Sequence, residues 1–87
     1  MKLRLYVINI EKYGNIIETV KKSLESSLSS EHDFEVINVL EQPDLAKEDN
    51  VIFTPTLINL STDPPKRVVG NMMEKEKILI ALNILEK

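Results

Sequence analysis

The first forty residues change their hydrophobic period twice, and this pattern constrains the fold more than any other feature. Residues 3–8, LRLYVI, alternate and then become apolar, which predicts a strand that enters the middle of a sheet. Asn15 is placed as the N-cap of a segment with apolar residues at helical spacing, which predicts a helix to about Ser29 or Ser30. Residues 34–40, FEVINVL, predict a second, buried strand. A strand, a helix and a strand at this spacing form a βαβ unit, so two parallel strands are expected.

The second half of the chain predicts four further elements. Pro43–Asn50 has the pattern of a short helix that proline opens at its first turn, and Thr56–Leu60 has that of a third strand. Ser61–Pro65, STDPP, is a strong turn signal. Lys66–Val69 therefore predicts a strand antiparallel to its predecessor, and a helix is expected from Met72. The order βαβαββα predicts an α/β, thioredoxin-like, three-layer domain with a mixed four-stranded sheet.

Length and composition exclude several classes of function. Eighty-seven residues predict one domain, residues 1–87, and a chain without cysteine has no sulfur nucleophile for redox catalysis. Residues 1–50 carry six Lys or Arg against ten Asp or Glu, so we expect no nucleic-acid partner. The longest apolar run, Ile78–Leu82, is too short to span a bilayer, and the N-terminal residues lack the apolar stretch of a signal peptide. We therefore expect no membrane association and a cytoplasmic location.

Titratable side chains form no recognisable catalytic or metal-binding pattern. The carboxylates of Glu41, Asp44, Glu48 and Asp49 do not have the spacing of a calcium loop, and a solvated helix face is the favoured interpretation. His32 is the single histidine and lies in a predicted turn without a nucleophile beside it. We therefore expect no catalytic residue, no metal ligand and no cofactor, and predict that the protein is not an enzyme.

One long run, VINVLEQPDLAKEDNVIFTPTL at Val36–Leu57, closely resembles the signature stretch of the KaiB family. Shorter pieces match in register at Leu5–Val7, Lys66–Gly70 and Glu74–Leu85, so the resemblance covers nearly the whole chain. It implies a non-catalytic regulator that binds a KaiC-like hexamer, a RecA-type ATPase and kinase, and modulates its activity. The output implied is circadian timing or stress signalling, and in cyanobacteria KaiA and the sensor kinase SasA also take part.

The resemblance also implies which residues meet the partner. Thr54–Pro55 matches a loop that carries a cis peptide in thioredoxin-like folds and shapes the binding face, although an ordinary trans proline is the general alternative. Lys66 and Arg67 match two basic residues of the family that contact KaiC. Neighbouring strand residues point to opposite faces, so at most one of the two is expected to meet a given partner surface. Asn50 stands where the family usually has a contact lysine.

KaiB proteins also switch fold, and the resemblance implies this for the C-terminal half. Their tetrameric ground state has the order βαββααβ, and it interconverts with a thioredoxin-like monomer that binds KaiC. Residues 78–85, ILIALNIL, suit a buried strand and a buried helix almost equally. This chain has Ala81 and Asn83 where cyanobacterial relatives tend to have Gly and Asp, and Gly costs about 0.8–1.0 kcal/mol relative to Ala in a helix. We therefore predict a population shifted toward the binding-competent fold, and a plain C-terminal core helix is the alternative. A dimer or tetramer of the chain itself is a separate possibility that the sequence leaves open.

Two other functions remain open at this level. One is a small-molecule binding domain like the N-terminal domain of glutathione transferases. That function needs an acidic residue and a serine directly after the loop proline, and Thr56 and Leu57 follow Pro55 here. The other is an assembly factor that acts without KaiC. A KaiC-like reading frame beside the gene would separate this possibility from the first function.

Overall fold

A computed structural model describes residues 1–27, 33–70 and 75–82, and in these residues strands and helices follow one another in the predicted order, βαβαββα. The elements are β1 (Lys2–Val7), α1 (Gly14–Ser27), β2 (Asp33–Asn38), α2 (Pro43–Glu48), β3 (Thr56–Asn59), β4 (Lys66–Val69) and α3 (Lys75–Ala81).

The described strands form one mixed sheet in the order β2-β1-β3-β4. β1 and β2 are parallel, with Leu5 opposite Val36, because helix α1 carries the chain back across the sheet between them. β3 is antiparallel to β1, and β4 is antiparallel to β3. The predicted α/β class, the mixed four-stranded sheet and the parallel first pair are confirmed.

The two faces of the sheet bury different apolar clusters, which gives the predicted three layers. Strand residues of alternating parity supply each cluster, because neighbouring side chains in a strand point to opposite faces. The cluster under α1 and α3 contains Leu3, Leu5, Val7, Val20, Leu24, Leu57, Ile78, Leu79 and Leu82. The cluster under α2 contains Tyr6, Ile37, Ala46 and Ile58.

Strands β1 and β2 both end earlier than the apolar runs at residues 3–8 and 34–40 predicted. An asparagine side chain turns the backbone at each end. Asn9 Oδ1 accepts the N–H three residues later at 3.0 Å, and Asn38 Oδ1 accepts the Leu40 N–H at 2.9 Å. These local bonds compete with the sheet ladder, and Ile8 and Leu40, beyond the two strands, remain exposed.

Helix ends differ from prediction in two places. α1 begins at Gly14, so Asn15 lies inside the helix and the predicted capping by Asn15 is wrong. α2 ends at Glu48 rather than Asn50, because Asn50 has a left-handed backbone conformation. The predicted end of α1 at residues 29–30 lies outside the described residues, as do the start of the last helix at Met72 and residue Asn83.

The described part of the C-terminal segment is helical. α3 runs from Lys75 to Ala81, and the Leu82 N–H still donates to the Ile78 carbonyl at 3.0 Å. The buried Asn59 side chain of β3 donates from Nδ2 to the Leu82 carbonyl at 2.9 Å. The structure therefore has the thioredoxin-like arrangement of this segment rather than the strand of the alternative fold.

Candidate partner-binding surface

Arg67 lies on β4 with its side chain on the α2 face of the sheet, opposite Ile58. Its guanidinium donates from Nη1 to the Asn50 carbonyl at 3.1 Å and from Nη2 to the Asp49 carbonyl at 2.8 Å. These carbonyls follow the last turn of α2, where unpaired backbone oxygens carry partial negative charge. Arg67 thus caps the C-terminal end of α2 while its side chain remains exposed.

Asn50 ends α2 through its backbone conformation. Its φ is 55°, in the left-handed region that asparagine enters more readily than most residues. The Asn50 N–H donates to the Lys47 carbonyl at 3.1 Å, and the Val51 N–H donates to the Ala46 carbonyl at 2.8 Å. These two bonds form a Schellman motif, with Val51 and Ala46 in the same apolar cluster. Asn50, where the family resemblance implies a lysine, therefore also sets the backbone conformation that ends α2.

The loop between α2 and β3 is fixed at both ends and exposes two large apolar side chains. The Thr54–Pro55 peptide is cis, as the family resemblance implied, and the Asp63–Pro64 peptide is cis as well. Pro55 is buried, and its carbonyl accepts the Gly70 N–H at 3.0 Å, at the end of β4. Ile52 and Phe53 just before it are 82% and 67% exposed. The sequence reasoning missed these two residues as site candidates.

Lys66 and Arg67 lie on opposite faces of the sheet, as predicted. Lys66 pairs with Asn59, whose side chain reaches α3, whereas Arg67 faces α2. Lys66 is exposed, and its backbone N–H donates to the Thr62 hydroxyl at 2.9 Å. The structure thus brings Asn50 and Arg67 together and ties Pro55 to the end of β4, but places Lys66 on the other side.

A buried polar network lies beneath the Arg67 cap. Asp49 is 13% exposed, and its carboxylate accepts bonds from Arg4 Nη1 at 3.1 Å and from the Tyr6 hydroxyl. The interpretation of Asp49 as part of a solvated helix face is therefore wrong, because this side chain turns back over the sheet. The interpretation holds for Asp44 and Glu48, which are exposed on α2; Glu41 is also exposed but lies in the turn before that helix.

Burial and these bonds perturb two titrating groups. Burial and, after it, the hydrogen bond to the Asp49 carboxylate together raise the pKa of Tyr6 to about 12. Burial opposes the charge of Arg4, but its hydrogen bonds to Asp49, Tyr6 and Glu35 outweigh burial and raise its pKa above the ordinary value. Arg4 is therefore charged at neutral pH and Tyr6 is protonated, which suits a structural network rather than proton transfer.

The described residues contain neither a cluster of metal ligands nor a membrane-spanning helix. In residues 1–27, 33–70 and 75–82, no three side chains of His, Cys, Asp or Glu are grouped as metal ligands. His32 lies outside these ranges. Within the same part of the chain, no helix has both the length and the apolar character needed to cross a membrane.

Comparison with known proteins agrees with this geometry. The family model described as the KaiB domain matches residues 4–84. The chain belongs to the KaiB family. The circadian clock oscillator protein KaiB of Prochlorococcus marinus subsp. pastoris is 38% identical over 84 residues, which cover 95% of this chain and 78% of that protein. The protein of the same name from Trichodesmium erythraeum is 36% identical over 84 residues, covering 95% of this chain and 81% of that one.

A solved structure has the same fold. The N-terminal domain of Synechococcus elongatus SasA superimposes with a TM-score of 0.73 at 22% identity, covering 99% of this chain and 86% of that one. Asn50, Thr54, Pro55, Lys66 and Arg67 all lie within the part that matches the KaiB domain.

Proposed function

We propose that this KaiB family chain is a non-catalytic regulator that binds a KaiC-like RecA-type ATPase hexamer and modulates its activity. Its relatives bear the name circadian clock oscillator protein, which names no catalytic activity, and the chain has no cysteine for the redox chemistry of other thioredoxin-like proteins. The output is a circadian clock or a related stress or timing response. The proposal includes a cytoplasmic location and a single domain over residues 1–87.

The exposed pair Ile52 and Phe53 is the main evidence for where the partner binds. We define the loop–β4 surface as Asn50, Ile52, Phe53, Thr54 and Arg67. Large apolar side chains that project from a surface commonly mark protein interfaces, and aromatic residues often dominate their binding energy. The Schellman motif at one end of the loop and the bond from Gly70 to Pro55 at the other hold the pair in place before binding. Little conformational entropy is then lost in the complex.

Arg67 contributes to this surface mainly by positioning. Its guanidinium is occupied by the carbonyls of Asp49 and Asn50, so it holds the start of the loop and presents only its remaining donors to a partner. Lysine cannot form the same fork of two bonds. Arg67→Lys is therefore expected to weaken binding although it keeps the charge, whereas Lys66→Arg, on the other face, is expected to leave binding unchanged.

The test is binding of the full chain to an ATP-loaded KaiC-like hexamer, measured by titration calorimetry or interferometry. Phe53→Ser is expected to raise the Kd at least about tenfold, the equivalent of about 1.4 kcal/mol. Ile80→Ser is the matched control, because Ile80 is also an exposed apolar residue but lies on α3. Wild-type affinity in both Phe53→Ser and Ile52→Ser would contradict the assigned surface, and absence of binding by the wild-type chain would contradict the function.

A further inference from the structure

A concave surface opens where the parallel strands β1 and β2 end. It is a groove of about 400 Å³, and none of the residues that line it belongs to the loop–β4 surface. Its apolar lining consists of Ile8, Ile10 and Leu40, and its acidic lining consists of Glu11 and Glu41. In α/β sheets, crevices outside the carboxyl ends of parallel strands are the usual places where ligands bind.

The walls of the groove are held in place before anything binds. One wall is the loop after β1, which the side chain of Asn9 closes by accepting the Lys12 N–H at 3.0 Å. The other wall is the loop after β2, where Asn38 accepts the N–H of Leu40 at 2.9 Å. These bonds leave the apolar side chains pointing outward: Leu40 is 72% exposed, and Ile8 and Ile10 are also exposed. The groove thus has preformed walls that present both apolar and polar side chains.

The charge of the lining indicates what fits the groove. Glu11 and Glu41 are carboxylates, and among the described residues that line the groove none is lysine or arginine. The neighbouring Lys12 has its ammonium over the Tyr13 ring, 6.0 Å from the ring centre. A second copy of this chain docked by the same groove would place these carboxylates against each other, which disfavours self-association there. A segment with apolar residues flanked by lysine or arginine complements both the apolar and the acidic side chains of the lining.

We propose that this groove binds a basic amphipathic segment of a partner protein, by contacts separate from those of the loop–β4 surface. The apolar face of the segment packs on Ile8, Ile10 and Leu40, and its cations pair with Glu11 and Glu41. The groove holds one such segment across the ends of the two parallel strands.

The probe is a helical peptide of about fourteen residues, or four turns, composed of leucine and lysine with one apolar face. It is titrated into the isotope-labelled full chain, and amide chemical shifts are followed by NMR at low and at physiological salt. The expected shifts are confined to residues 8–12 and 38–42. The same peptide with glutamate in place of lysine is expected to bind at least about tenfold more weakly, because it meets like charges.

Matched variants separate groove binding from general attraction to an acidic protein. Glu41→Lys and Glu25→Lys make the same change in net charge, but Glu25 is exposed on α1 and does not line the groove. Glu41→Lys is expected to weaken peptide binding at least about fivefold more than Glu25→Lys. Leu40→Ser removes apolar surface without changing charge and is expected to weaken binding to a similar extent.

Several results would overturn the proposal. Equal effects of the two lysine variants would show non-specific attraction, and shifts spread over the whole surface would show the same. Groove shifts that grow with protein concentration alone would identify a second copy as the occupant. The assay contains no ATPase, and Phe53→Ser is expected to bind the peptide like the wild type. Failure here therefore leaves the proposed regulator function standing, and failure of that function leaves the groove proposal standing.

Discussion

Asn59 joins the sheet to the C-terminal helix, and its replacement by alanine is expected to destabilise the thioredoxin-like arrangement. The side chain is 1% exposed on β3. Its Nδ2 donates to the Leu82 carbonyl at 2.9 Å, and its Oδ1 accepts the Ser61 N–H at 3.0 Å. One amide thus links the end of α3 and the turn after β3, two regions that are separate in sequence.

The expected loss follows from these two bonds. A hydrogen bond within a protein contributes about 0.5–1.5 kcal/mol net, and a buried group left without its partner costs about 1–3 kcal/mol. The Leu82 contact is buried, whereas Ser61 is exposed and water can replace the amide there. Asn59→Ala is therefore expected to lower the free energy of unfolding by about 1–3 kcal/mol. For a domain of this size, each kcal/mol corresponds to about 4–8 °C in Tm.

Urea denaturation followed by circular dichroism measures this change. Asn15→Ala is the control, because Asn15 is an exposed asparagine on α1 and its replacement is expected to change stability by less than about 0.5 kcal/mol. Asn59→Asp keeps the acceptor for Ser61 but cannot donate to Leu82 and buries a charge, so it is expected to be at least as damaging as alanine. If Asn59→Ala unfolds within about 0.5 kcal/mol of the wild type, the bond to Leu82 does not hold α3 and the reasoning is refuted.

Three further predictions concern the buried network, the end of α2 and the last helix. Because the pKa of Tyr6 is about 12 rather than 10, its contribution to the free energy of unfolding is complete below pH 10 and is lost as the pH rises through 12. In urea denaturation over this pH range, the wild type is expected to lose about 2–3 kcal/mol more unfolding free energy than Tyr6→Phe. Parallel pH profiles of stability for the two proteins would contradict this. Asn50→Lys is expected to lower the free energy of unfolding by about 1 kcal/mol, whereas Asn50→Gly is expected to preserve it, because φ is positive at this position. Equal thermal stability of the two variants would refute the role of Asn50 in ending α2. Ala81→Gly is expected to shift the populations of the two folds, measured by NMR, toward the alternative fold. Inside a helix, the Gly cost of about 0.8–1.0 kcal/mol corresponds to a fourfold to fivefold shift. The expected shift is smaller than this because Ala81 is the last residue of α3. A shift the other way would contradict the propensity argument.

Much of the candidate surface followed from the sequence only through the family resemblance. The Thr54–Pro55 loop and Arg67 were chosen because they match the family in register, and no local pattern singles them out. Ile52 and Phe53 read as a short apolar lead-in to the proline loop, and their exposure depends on the absence of any described element packed over them. An apolar pattern gives no information on which side of a loop remains uncovered.

Asp49 shows the same limit for charged residues. In the sequence it belongs to an acidic run near the end of a predicted helix, and a solvated position is the favoured interpretation. Its actual partners, Arg4 and Tyr6, lie more than forty positions earlier in the chain. Only the packing of α2 across the sheet brings these groups together.

The amino-acid sequence alone predicts the order of strands and helices, the parallel first pair and the two-sided core. These follow from hydrophobic period and from turn residues, which act over a few neighbouring positions. The packing of the whole chain sets which face of the sheet Arg67 lies on, the partial burial of Asp49, and the acidic groove at the ends of β1 and β2. Each of these depends on contacts between segments that are distant in the chain, and such contacts are set by the register and packing of the whole sheet rather than by any local pattern.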